Sequence, residues 1–241
     1  MHAPIVLVPL AIEMLVLITA LAPQSYQGRF RSKPGLGLFV WFGTFAFGLL
    51  TALGAVVVTI WSLVELLEES IRGKVVVAEV LSQIGLWLAL GLGGVALALV
   101  NQRTENYFSI AKEATPQLVM AGSPMGEFEG VPLVRMELPV PLAFAAPAQP
   151  RSGIFVSAGA LEIFSEDELD AMFWHEWAHI KKNHFALKAA GRFIAALAPK
   201  LKASRLLQSE TDELMELVAD RVAIAKVGKA ALESARVKTL K

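Results

Sequence analysis

One short segment, His175-Glu176-Trp177-Ala178-His179, places two histidines four residues apart with a glutamate directly after the first. The surrounding residues favour a helix, and side chains four apart on a helix lie on one face. Both imidazoles can therefore bind the same metal ion, while the glutamate lies beside it and can take a proton from a bound water. The spacing is typical of zinc sites that hydrolyse peptide bonds.

Two histidines leave such a site one protein ligand short, and the chain contains no cysteine. Glu216 is the best candidate for the third ligand, because it lies 37 residues after His179, which suits a helix, a turn and a second helix packed side by side. Asp220 falls one turn later on the same face, where it can accept the other ring N–H of a liganding histidine. The sequence thus predicts a metal site at His175, His179 and Glu216.

Two helices are expected to carry these residues. Ser165 followed by Glu168 is a capping-box pattern, in which the serine caps a helix and the glutamate reaches back to it. The first helix is therefore predicted from residue 166 to about 191. The second is predicted over 209–228, because Gly228 is a typical helix stop, and the polar residues 200–204 form the turn between them.

A segment rich in proline and glycine, residues 118–157, precedes the helices and holds short apolar runs typical of strands. Proline cannot donate to a strand ladder, so Pro139, Pro141 and Pro147 keep at least one of these strands at a sheet edge. An edge beside the site could pair with an extended peptide, or the strands could only cover the helices, and the sequence leaves both open. The predicted strands are Val131–Leu138, Val140–Ala145 and Gly153–Ser157.

The first hundred residues are strongly apolar, and the whole chain has a mean hydropathy of +0.54. No charge occurs in the 31 residues between Lys33 and Glu65 or in the 23 between Glu79 and Arg103, and each stretch exceeds the roughly 20 residues that cross a bilayer as a helix. A further apolar stretch near the amino terminus contains one charge, Glu13. We predict a transmembrane region over 1–100, with spans near 3–22, 36–62 and 76–100, followed by a polar domain over 101–241.

The basic residues of the loops predict the orientation. Arg29, Arg31 and Lys33 lie in the first loop, against Arg72 and Lys74 in the second, so the positive-inside rule places the first loop in the cytoplasm. The third span then delivers the polar domain to the cytoplasmic side of what we expect to be a prokaryotic plasma membrane. No basic residue precedes the first span, which argues against a cleaved signal peptide.

The segment H-E-W-A-H followed by E-L-V-A-D resembles the membrane zinc peptidases of families M48 and M56. The likeness runs from about residue 139 to 225 and includes Pro141–Ala145, Gly153–Ser157 and Ser165–Leu169, which resemble the approach to the metal helix. The short gap between the two motifs favours M56, the family of the beta-lactam sensor proteases. The Ala219-Asp220 ending favours M48, the family of the HtpX heat-shock protease and the CAAX prenyl protease, and the residues do not separate the two.

Together with the three spans predicted from the apolar stretches, this resemblance implies a mainly α fold with a small β-sheet (α+β), in which three transmembrane helices precede a gluzincin-type metallopeptidase domain. It implies Zn²⁺ as the cofactor, His175, His179 and Glu216 as its ligands, and Glu176 as the general base. A donor to the developing oxyanion is also required. Arg221 and His184 are the candidates, although His184 is rotated off the ligand face and is more simply interpreted as a solvated or helix-end histidine.

The favoured function is a membrane-anchored zinc endopeptidase that cuts protein or peptide substrates in or near the lipid bilayer. One alternative is the protease of a signalling system that cleaves a repressor, with a regulatory membrane partner or a second copy of the chain. Another is a non-catalytic zinc-binding scaffold, against which the intact Glu176 argues. Residues 101–241 contain 17 basic and 17 acidic residues, so no basic field suited to nucleic acid is expected.

Overall fold

The structure, a computed structural model, describes residues 21–71, 122–147, 151–197 and 202–239. The predicted span at 76–100 and nearly all of the one at 3–22 lie outside these residues. The described part is mainly helical with one small sheet, as predicted for the α+β class. Its elements are α1 (Pro34–Ile71), β1 (Gly122–Phe128), β2 (Val131–Met136), β3 (Ala143–Ala146), β4 (Gly153–Ser157), α2 (Ala158–Ile163), α3 (Glu166–Lys181), α4 (His184–Leu197), α5 (Lys202–Lys226) and α6 (Lys229–Thr239).

The four strands form one sheet in the order β1-β2-β4-β3. β2 and β4 run parallel, whereas β1 and β3 are antiparallel to their neighbours. β4 is buried along its whole length, which explains why its three central residues, Ile-Phe-Val, are all apolar. β3 lies at an edge, in agreement with the prolines around it. β1 was not predicted, because its mostly exposed residues, Gly-Ser-Pro-Met-Gly-Glu-Phe, show no apolar alternation.

α3 begins where the sequence predicts, since the Ser165 hydroxyl accepts the Glu168 N–H and the Glu168 carboxylate accepts the Ser165 N–H. The prediction that this helix continues to about residue 191 was wrong. It ends at Lys181, and Asn183 takes a positive φ of 54°, a left-handed conformation that asparagine tolerates better than most residues. The chain turns there and α4 starts at His184.

The later helices also differ from the prediction. α5 begins at Lys202, seven residues before the predicted start, so part of the expected polar turn is helical. Packing explains the difference, because Ala203, Ser204 and Leu207 on this added stretch are buried. Gly228, at φ 109°, stops α5 as expected, but an unpredicted helix, α6, follows it directly.

α1 packs its first turns against α5. Trp41 is fully buried, and with Leu38 it joins Leu207, Leu214 and Met215 in one apolar cluster. Within the described ranges, α1 is the one helix that is long and apolar enough to cross a membrane, where the sequence predicted three spans. It covers the predicted span at 36–62.

Candidate metal centre

The three predicted ligands meet between α3 and α5. His175 Nε2 lies 3.2 Å from His179 Nε2 and 3.3 Å from Glu216 Oε2, and His179 Nε2 lies 3.5 Å from the same oxygen. Zinc bonds of about 2.0–2.1 Å in a tetrahedral site separate the ligand atoms by about 3.3–3.4 Å. The triangle therefore has the size that a zinc ion needs, and these atoms form the candidate metal group.

His175 is held on its other side by Asp220. Asp220 Oδ1 lies 2.9 Å from His175 Nδ1, an ion-pair contact, and accepts a hydrogen bond from the guanidinium of Arg236 on α6. Burial disfavours the charged imidazole, but Asp220 and Glu216 outweigh it and raise the pKa of His175 to about 9. The sequence anticipated Asp220. It did not indicate Arg236, whose approach depends on how α6 folds back.

The other two ligands contact α4. His184 Nδ1 lies 3.0 Å from His179 Nδ1, and Lys188 Nζ lies 3.2 Å from Glu216 Oε1. His184 is at a helix end, as the sequence suggested, but it is 1% exposed, so the expectation of a solvated side chain was wrong. Burial, together with the neighbouring His179, lowers the pKa of His184 to about 4. The two histidine donors hold the pKa of Glu216 well below its usual range.

Glu176 points from α3 towards the edge strand. Its Oε2 accepts the N–H of Ala145 on β3 at 2.7 Å. Burial raises the pKa of Glu176 above its ordinary value, partly offset by the two neighbouring histidines. A carboxylate whose pKa is shifted towards neutrality is a better proton acceptor at working pH.

The structure does not bring Arg221 to the ligands. Its guanidinium donates to the carbonyls of Arg31 and Ser32, at 3.3 and 2.9 Å. Arg221 is five positions after Glu216, a rotation of about 140° around a helix. Arg221 therefore contacts the loop before α1, whereas His184, the other proposed oxyanion donor, contacts His179 on the side away from the ligand triangle.

A comparison with family models matches residues 117–235 to peptidase family M48. The matched range contains the three candidate ligands, Glu176 and Asp220. The M56 alternative is not confirmed. A comparison with curated proteins finds no match.

Proposed function

We propose that this chain, which belongs to peptidase family M48, is a membrane-anchored, zinc-dependent endopeptidase acting on proteins at or near the membrane. The observation that carries the proposal is the triangle of His175, His179 and Glu216 with Glu176 beside it. These three side chains would hold the zinc. When bound, zinc supplies an acidified water and polarises a peptide carbonyl.

Glu176 is the proton carrier in this proposal. Its raised pKa suits it to accept a proton from the attacking water and to deliver that proton to the leaving amine. The Ala145 N–H holds the carboxylate on the side of the edge strand, so the base already points to where a peptide would lie. Asp220 holds the Nδ1 of His175 and thereby leaves the Nε2 free to bind metal.

The outer edge of β3 is the proposed place for the substrate backbone. β3 pairs with β4 on one side, and its Ala145 N–H points away from β4 towards Glu176. Backbone groups two residues apart on a strand point the same way, so Ala143 presents its N–H and C=O along the same edge. An extended peptide added there would pass Glu176 with both ends free, which favours cleavage within a chain.

Two features of α1 support membrane anchoring. Seven of its large apolar side chains between Phe47 and Val64 are half or more exposed, including Leu50 at 67% and Trp61 at 69%. Ala46 to Val64 is 19 residues without a charge, which spans about 28 Å as a helix and fits the hydrocarbon core of a bilayer. The earlier turns are covered by α5, so we place the lipid-embedded part later than the predicted 36–62.

The loop before α1 supports the proposed topology. Gly28 N–H donates to Glu210 at 2.9 Å and Arg31 pairs with Glu213 at 2.8 Å, so this loop contacts the domain that carries the metal site. Loop and domain must therefore share one side of the membrane. A chain that crosses through α1 has to cross back before residue 122, which favours the predicted span at 76–100. The basic first loop assigns that shared side to the cytoplasm.

Glu176→Gln tests the proposal. The wild type and the variant, purified in detergent, are both expected to bind about one zinc per chain. Cleavage of casein and self-cleavage should fall at least about 100-fold in the variant, because the proton carrier is lost while the ligands remain. Activity that survives the substitution would contradict the mechanism, and zinc binding without any cleavage by the wild type would support the scaffold alternative.

A further inference from the structure

We propose that one face of α4 positions the metal ligands from behind, with His184 orienting His179 and Lys188 orienting Glu216. This inference rests on the proposed metal site. It assigns to both side chains a positioning role, since neither contacts the place where substrate or metal would lie.

His184 contacts the ring nitrogen of His179 that faces away from the ligand triangle. The two Nδ1 atoms are 3.0 Å apart, and the rings meet edge to face at 82°. Between two such nitrogens one donates and the other accepts. With the Nε2 of His179 turned to the ligand triangle, its Nδ1 carries the proton and donates to His184, which fixes both the tautomer and the ring plane.

The burial of His184 supports a dedicated role. Its other nitrogen, Nε2, is buried and has no hydrogen-bond partner among the described residues. Leaving a buried polar group unpaired costs about 1–3 kcal/mol, so an apolar side chain would serve packing better. The contact with His179 is what a histidine provides here and an apolar residue does not.

Lys188 lies one turn after His184 on the same face of α4. Its ammonium is 3.2 Å from Glu216 Oε1, while Glu216 Oε2 faces the two histidines. The carboxylate is thus held with one oxygen on the lysine and the other towards the metal position. Glu216 is 46% exposed, so without this contact its side chain would be free to turn into solvent.

The turn between α3 and α4 makes this arrangement possible. Asn183 adopts a left-handed conformation that ends α3, and α4 begins at the next residue, so the first turn of α4 brings His184 against His179. Asp220 on α5 already holds His175. With His184 and Lys188, each of the three ligands has one partner outside the metal triangle.

The test measures zinc affinity by chelator competition in the full-length protein in detergent. His184→Leu and Lys188→Met should each weaken zinc binding about 10–100-fold, the usual effect of losing such a partner. Lys188→Arg, which keeps the charge and a donor, should restore binding to within about threefold. Lys182→Met removes an exposed lysine at the end of α3 and should bind zinc like the wild type.

Two readouts separate positioning from a structural role. The absorption spectrum of the cobalt-substituted site should change in His184→Leu and Lys188→Met, whereas the unfolding temperature of metal-free Lys188→Met should stay close to that of the wild type. If zinc affinity and the cobalt spectrum are unchanged in both His184→Leu and Lys188→Met, the inference is overturned while the peptidase proposal stays intact. A wild type that binds zinc but cleaves nothing would contradict the peptidase proposal and leave the positioning roles of His184 and Lys188 intact.

Discussion

At the level of single residues, the carboxylates around the site are divided between two tasks. Glu216 is kept ionised by its histidine neighbours, with its pKa held well below the usual range, as a metal ligand requires. Glu176, one position along from a ligand, is shifted the opposite way by burial. Two glutamates close together thus have different protonation behaviour because their partners differ.

A substitution of Asp220, which lies on α5 rather than α4, tests the partner of the remaining ligand, His175. Asp220→Asn should weaken zinc binding about 10–100-fold, because the amide is a poorer acceptor for the His175 ring N–H and no longer balances Arg236. Chelator competition on the full-length protein measures the change. Glu233→Gln, on the exposed face of α6, is the matched control and should leave affinity unaltered. An Asp220→Asn protein with wild-type affinity would contradict the assignment.

At the level of elements, α6 contacts both the start of α3 and α5, the helix that carries Glu216. Lys238 and Ser234 of α6 both contact the buried carboxylate of Glu168, at 2.6 and 2.5 Å, while Arg236 reaches Asp220. These contacts with Lys238 and Ser234, together with the Ser165 N–H, lower the pKa of Glu168 to about 2. The same glutamate therefore caps α3 and docks α6.

Glu168→Gln tests this docking through its pH dependence. The folded protein keeps Glu168 ionised down to pH about 2, whereas the unfolded chain takes up the proton near pH 4.5, so the contribution is complete above pH 4.5 and is lost as the pH falls towards 2. Since Lys238 is partly exposed, we expect a loss of about 1–2 kcal/mol in the free energy of unfolding at pH 7. Glutamine can still close the capping box, so the change isolates the charge.

Urea unfolding in detergent at pH 7 and pH 3 measures this effect. The gap between wild type and Glu168→Gln should be widest at pH 7 and narrower at pH 3. Glu166→Gln removes an exposed charge from the same helix turn and should show little difference at either pH. An equal gap at both values would exclude the ion pair as its cause.

At the level of the whole molecule, α5 has two working faces. One carries Glu216 and Asp220, and another contacts the loop before α1 through Glu210, Glu213 and Arg221. Trp41 and its apolar neighbours pack the first turns of α1 against that second face. The candidate metal site is therefore attached directly to the base of the proposed membrane helix rather than through a free linker.

The proposed topology predicts labelling from one side. Because the chain has no cysteine, Gln27→Cys and Lys229→Cys each create a single, exposed thiol, one in the first loop and one on α6. In intact cells both should resist a membrane-impermeant maleimide, and both should react after lysis. Reaction of both thiols in intact cells would indicate the opposite orientation, with the first loop and the domain outside the cell. Protection of one alone would contradict the shared side.

The sequence by itself determined what depends on neighbours along the chain. The spacing of His175 and His179, the cap at Ser165 and the stop at Gly228 are local, since a helix fixes side-chain direction over one turn. Glu216 was also predicted, although the prediction assumed one helix, a turn and a second helix, whereas α4 lies between the two helices that carry the ligands. The apolar run that became α1 follows from composition alone.

Only the tertiary structure decided which side chains surround the ligands. The break at Asn183 turned His184 and Lys188 inward, and the unpredicted α6 brought Arg236 to Asp220. Arg221 went to the first loop instead, and the edge of β3 came to lie beside Glu176. Contacts of this kind join residues far apart in sequence. They are set by the packing between elements, which produces no periodic pattern in the sequence. The pair of histidines could therefore be predicted from the sequence, whereas most of the side chains that orient the ligands could not.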